Sequence, residues 1–91
     1  MANPDNFIPI DLRNALDADA DRAAQAGDRR CAEILRQLAA YTGTNAPQFA
    51  RDMGAEACTI RYRSAKELMT LVVAAEQEEE GQRRRSKPGP P

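Results

Sequence analysis

The sequence predicts a mostly helical α+β domain, with about four helices and one short strand at residues 57–63 preceding the last helix. Three observations carry this expectation. Apolar residues recur at helical spacing along much of the chain, most clearly at Cys31, Ile34, Leu35 and Leu38. Cys58, Ile60 and Tyr62 alternate with Thr59, Arg61 and Arg63, the period-2 pattern of a half-buried strand. Ser64-Ala65-Lys66-Glu67 then has the spacing of a capping box, with the Ser64 hydroxyl bonding the Glu67 amide and the Glu67 carboxylate reaching back to the Ser64 amide.

Residues 1–10 read as an extended N-terminal arm. Phe7-Ile8-Pro9-Ile10 is apolar, but Pro9 cannot donate to a ladder and restricts the segment to an edge strand. It is the one internal candidate to pair with residues 57–63. Otherwise the unpaired backbone groups of that strand must meet another subunit. Asp11 is placed to cap a first helix over about 12–26, with a thin stripe of Leu12, Leu16, Ala20, Ala23 and Ala24 and a stop at Gly27. Asp28 caps the second helix, about 29–42, which Gly43 ends. Thr44-Asn45-Ala46-Pro47 opens a short third helix, since a proline is tolerated in a first turn, and Gly54 closes it.

The last helix is predicted from Ala65 to about Glu80. Leu68, Leu71, Val72 and Ala75 form its buried stripe, widened by Met69 and Val73. Glu76, Glu78, Glu79 and Glu80 at its end oppose the helix dipole and imply fraying. The expected domain is therefore 11–80, followed by a basic tail over 81–91 that is disordered when free.

At 91 residues the chain makes one small domain whose core is only marginally sufficient. Much of its hydrophobic fraction is alanine, which buries little area, so stability gained from oligomerisation or a partner is expected. Charge is unevenly placed. Residues 1–80 carry nine basic and fourteen acidic side chains, net −5, whereas 81–91 carry +4 from Arg83, Arg84, Arg85 and Lys87. An acidic domain lacks the broad basic surface used for non-specific DNA binding. With 4% aromatic residues and no Trp, a base-stacking platform is also disfavoured.

The chain has no histidine, which removes the usual general base, zinc ligand and pH switch. Cys31 and Cys58 read as two buried free thiols of a reducing compartment, with a disulfide between them as the alternative. Asp17, Asp19 and Asp21 have the spacing that opens a calcium loop, but Arg22 stands where the sharp turn requires glycine, so a solvated acidic helix face is preferred. No enzyme activity, metal or cofactor is expected. No apolar run approaches the roughly 18 residues that cross a bilayer, and the N-terminus has no secretory pattern, so no membrane partner is expected and the location reads as cytoplasmic or virion.

Arg61 and Arg63, with Thr59, would lie on the outer strand face. That face resembles a DNA-reading β-ribbon, or is simply solvated, and the overall acidity favours the second reading. Arg83, Arg84, Arg85 and Lys87 form a cluster that serves either as a solubilising tail or as an arm docking onto nucleic acid or an acidic protein.

Thr59-Ile-Arg-Tyr-Arg-Ser-Ala-Lys-Glu-Leu-Met, Val72-Val-Ala-Ala-Glu and Gln82-Arg-Arg-Arg-Ser together resemble small phage head–tail joining proteins of the gpW type. In that head-completion family a strand runs into a Ser-capped helix that ends in an Arg-rich tail. The match spans roughly residues 58–86. The family has a helix, a two-stranded hairpin and a helix, whereas this chain has a short helix where the first hairpin strand should stand and about twenty extra N-terminal residues. The resemblance implies a non-catalytic structural or adaptor subunit, acting as a homo-oligomer or within a hetero-assembly, and a head–tail connector component in its narrowest form. The alternatives are a small DNA-binding regulator using the basic strand face and a small protein-binding inhibitor.

Overall fold

The computed structural model describes residues 8–86, and the side chains of residues 8–81. The chain forms α1 (Ile10–Gln25), α2 (Arg29–Ala40), α3 (Ala46–Met53), a 3-10 turn over Ala55–Cys58, and α4 (Arg63–Ser86). No strand occurs among the described residues.

The α1–α2 pair is a helical hairpin closed by a tight turn. Gly27 adopts φ 81, a conformation that costs glycine little, and its amide and that of Asp28 bond back to Ala24 and Ala23. Asp28 then caps α2, its Oδ1 accepting from the Cys31 amide at 3.3 Å. The expected cap at Asp11 is replaced. α1 begins two residues earlier, with Pro9 in the cap position, the Arg13 amide bonded to the Pro9 carbonyl, and Asp11 in the first turn.

α3 crosses over the end of this hairpin. Pro47 sits in its first turn, and Gly54, at φ 77, ends it with its amide turned back to the Ala50 and Arg51 carbonyls. Tyr41 and Phe49 stack with ring centroids 4.3 Å apart, joining the end of α2 to α3. The core comprises Leu12, Leu16, Ala20 and Ala23 of α1, Ile34, Leu35 and Leu38 of α2, Ala46 and Ala50 of α3, and Ala65, Leu68, Met69 and Val72 of α4. Ile8, placed in the sequence-based arm as a strand residue, is instead buried in this core.

The predicted strand at 57–63 is corrected to the end of a 3-10 turn, a further turn over 59–61, the linking Tyr62 and the first residue of α4. Its apolar alternation does not survive in space. Cys58 is fully buried, whereas Ile60 is 94% exposed. Burial at Ala55 and Cys58 follows an i, i+3 spacing instead. The physical reason is the absence of a partner. Ile8 is buried against the helices and Ile10 begins α1, so neither offers a ladder; Phe7 lies outside the described residues. The backbone groups of the segment are satisfied locally, by Ala57 to Gly54, Thr59 to Glu56, and Tyr62 to Cys58 at 3.0–3.3 Å.

The cysteines are also corrected. Cys31 and Cys58 are joined in a disulfide, with Cα atoms 5.8 Å apart and a sequence separation of 27. On the chain-entropy model a loop of that size contributes about 3–4 kcal/mol.

α4 departs from expectation at both ends. It starts at Arg63 and continues to Ser86, beyond the end anticipated near Glu80. The acidic run is thus inside the helix. Spacing places Glu79 and Glu80 four residues before Arg83 and Arg84, the order that supports a helix, and brings the arginines to the end where the dipole favours positive charge. The buried face is Ala65, Leu68, Met69, Val72 and Ala75, and Leu71 is 42% exposed rather than in the core. Leu68→Ala should therefore cost about 2–5 kcal/mol. Leu71→Ala should cost about 1 kcal/mol or less, because the side chain is partly exposed on an open groove and its truncation leaves no enclosed cavity. Urea denaturation of the two variants checks this ranking.

Candidate functional site

The corner where the chain enters α4 gathers most of the unusual polar chemistry. Two carboxylates hold it. Asp19 lies in helical register with Leu12, Leu16 and Ala23, and so points inward, at 8% exposure. Its Oδ2 accepts from the Ser64 amide at 3.1 Å and from the Ser64 hydroxyl at 2.6 Å. Ser64, 1% exposed, is inside the first turn of α4. The capping box expected from Ser64 and Glu67 is therefore replaced by a cap donated from another helix. Asp19 supplies the acceptor that the first amides of α4 lack, and its other oxygen lies 3.6 Å from Arg22.

Asp28 is the second carboxylate. While Oδ1 caps α2, Oδ2 accepts from the Tyr62 hydroxyl at 3.2 Å and from Arg61 at 3.3 Å. Burial, and then the bond to Asp28, push the Tyr62 phenol above its ordinary pKa. The buried Cys31–Cys58 bond lies beside this cluster. A groove of about 440 Å³ opens over it, lined by Asp28, Arg30, Cys31, Ala57, Ile60 and Arg61.

These contacts relocate the anticipated basic face. Arg61 stands in a turn and is paired with Asp28. Arg63 opens α4 and lies 3.7 Å from Glu67. With no strand beneath them, the two arginines do not form the basic face of a β-ribbon. Arg83, Arg84 and Arg85 lie on the last turns of α4, but their side chains, and Lys87 altogether, lie outside the described residues.

Another cluster joins α3 to the 3-10 turn and to α4. Arg51 of α3 forms a two-pronged pair with Glu76 of α4, Nε to Oε2 at 3.1 Å and Nη2 to Oε1 at 2.7 Å, and also contacts Glu56. The bonds from Glu76 and then from Glu56 hold the Arg51 guanidinium above its ordinary pKa, and the Arg51 bonds hold Glu76 below the usual carboxylate range.

The outward side of α4 carries apolar surface. One groove of about 440 Å³ lies between α1 and α4, lined by Pro9, Asp11, Leu12, Glu67, Thr70 and Leu71. A second, of about 370 Å³, is lined by Thr59, Lys66, Met69, Thr70 and Val73. Leu71 and Val73 are exposed on the two flanks of one helix. From Gln77 to Glu80 every residue is exposed, so α4 runs on past the bundle as a projecting arm.

Among the described residues no group of three or more His, Cys, Asp or Glu side chains could hold a metal ion. Asp17, Asp19 and Asp21 do not converge, because Asp19 turns into the core while the other two face solvent. No helix among the described residues is long and apolar enough to cross a membrane. No family model matches the chain, and neither a curated protein nor a solved structure matches it.

The sequence-based reading missed Asp19 and the Arg51–Glu76 pair. Asp19 carried a signal, since it falls in register with the apolar stripe of α1. Arg51 and Glu76 are 25 residues apart and carried none. Because Glu76 is held below its unfolded value, its contribution is present above the ordinary carboxylate pKa and is lost as pH falls through the lower folded value. Acid titration of stability should therefore show a loss below about pH 4.5, with a shallower slope in Arg51→Met and Glu76→Gln.

Proposed function

We propose that the protein is a non-enzymatic structural or adaptor subunit that works by binding other protein chains. The observation that carries this reading is the form of α4, one helix that is core on one side, apolar but uncovered at Leu71 and Val73 on its flanks, and continued past the bundle to Ser86. A helix beyond its packing surface gains little from propensity alone, and a partner's contacts are the usual source of its remaining stability. The projecting part separates acidic from basic residues, Glu76 to Glu80 and then Arg83 to Arg85, which gives a partner a polar register to read.

Several features favour binding over catalysis. The chain offers no histidine, its two cysteines are bonded to each other, and the perturbed carboxylate, Glu76, is committed to an arginine. The narrower form, a component of a phage head–tail connector, draws on the resemblance over residues 58–86. Its support now comes from the long last helix and the arginine cluster, since the strand is absent among the described residues. The regulator reading loses its main argument, because Arg61 and Arg63 stand in a turn and at a helix start with carboxylate partners.

Sedimentation of the intact chain, alone and with duplex DNA, tests the proposal. A concentration-dependent oligomer indifferent to DNA is expected, weakened by Leu71→Asp with Val73→Asp. A strict monomer that forms a salt-sensitive complex with DNA would favour the regulator instead. Deleting residues 81–91 should leave cooperative unfolding intact and reduce association most at low salt, because exposed charge pairs are screened within about 8–10 Å at physiological ionic strength.

A further inference from the structure

The alternating stretch at 58–63 and the disulfide at Cys58 occupy the same few residues. Between Gly54 and Arg61 the only buried side chains are those of Ala55 and Cys58. An alanine anchors little, so the covalent bond to Cys31 is the principal tie between this segment and α2. Around it are weaker ties, namely the contacts of Arg61 and Tyr62 with Asp28, the half-buried Tyr62 ring against the core, the local backbone bonds of the turn, and the contact between Glu56 and Arg51. Thr59 and Ile60 are β-branched and favour extended backbone, contrary to the turn in which they are held. Ile60, at 94% exposure, gains nothing from that turn. The local preference and the observed conformation thus disagree at the point where a reducible bond holds the chain.

The surface groove reaches the bond at one end only, through Cys31, which is 6% exposed. Cys31 forms part of the wall of the groove with Arg30, Arg61, Ala57 and Ile60, whereas Cys58 is fully buried. Cys31 lies in the first turn of α2, where helix amides and the two arginines favour an arriving anion and offset Asp28.

We propose that Cys31–Cys58 is a reversible redox site for a dithiol reductant, and that reduction releases residues 54–62 from the turn into an extended conformation. A thiolate of the dithiol attacks Cys31 Sγ, the sulfur–sulfur bond breaks, and Cys58 leaves as a thiolate that takes a proton from water. The second thiol of the reductant then attacks the mixed disulfide, expelling Cys31, which is protonated in turn. The protein gains two electrons and two protons, and the dithiol becomes a disulfide. The released segment presents unpaired backbone of strand-forming sequence, the form in which one chain adds to the edge of another. Oxidation folds it away again.

Hydrogen exchange followed by mass spectrometry, on the intact chain before and after reduction by dithiothreitol, tests this. Exchange at residues 55–62 is expected to accelerate at least tenfold, α1, α2 and the first half of α4 to stay protected, and reoxidation to restore the slow pattern. Cys31→Ser with Cys58→Ser should show the fast pattern whether or not reductant is present. In backbone NMR of the reduced chain, the Cα shifts of residues 57–62 should move toward extended values. Unchanged exchange would overturn the proposal by showing the bond to be redundant to the local fold. Loss of protection throughout the helices would overturn it equally, by showing a staple for the whole domain, and shifts that stay at turn values would remove the extended state.

Discussion

The carboxylate of Asp19, buried beneath the start of α4, is the constraint around which the rest of the domain is arranged. A charged group out of water is costly unless its lone pairs are satisfied, and an opposed helix N-terminus is one of the few environments that satisfies them. The amide and hydroxyl of Ser64 do so from one side, and Arg22 stands near the other oxygen. Because Asp19 is fixed within α1, the first turn of α4 can lie only where those donors reach it. The crossing of α1 and α4 is thereby set by a polar contact of defined direction, which aliphatic packing among so many alanines could not specify alone.

Asp28 repeats the device at the other end of the same corner. It serves as the cap of α2 and as acceptor for Tyr62 and Arg61, so one side chain couples the second helix to the start of the fourth. The two acids hold residues 61–64, directly after the 3-10 turn whose Cys58 is bonded to Cys31. Arginines that look available in the sequence are thus drawn into the architecture of an acidic domain. The basic cluster near the end of α4 is separated from that corner by the length of the helix, so any part it plays in recognition is independent of the corner.

The helices were legible because each had a signal that depends only on neighbours in sequence. The i, i+3, i+4, i+7 pattern of Cys31, Ile34, Leu35 and Leu38, the cap at Asp28 and the stops at Gly27 and Gly54 all act within one or two turns. The strand failed for the complementary reason. Alternation states that a segment can be a strand, whereas being one requires a partner, and the arm carrying Ile8 and Ile10 was drawn into the helical core instead. Leu71 failed through the angle at which α4 meets the bundle, which favours the row of Leu68, Val72 and Ala75. The capping box failed because its local geometry lost to a carboxylate 45 residues away. Of the candidate binding residues, Arg61 and Arg63 were identified by an alternation that does not exist in space; the partner of Arg63, Glu67, stands at ordinary helical spacing, whereas that of Arg61, Asp28, lay beyond the reach of spacing arguments.

Gly81 lies inside α4 with no neighbouring atom within 4 Å of where a side chain would begin. Glycine in a helix interior costs about 1 kcal/mol relative to alanine, and here no packing offsets it. α4 is consequently one helix with two stability regimes. Its first three turns unfold only with the core, while the turns beyond Gln77 can open without disturbing a buried residue. A protease that samples such local openings would cut the arm long before it cut the domain. Trimming there would remove the arginine cluster and leave a folded remnant, separating in one covalent event the part that holds the fold from the part that reaches beyond it.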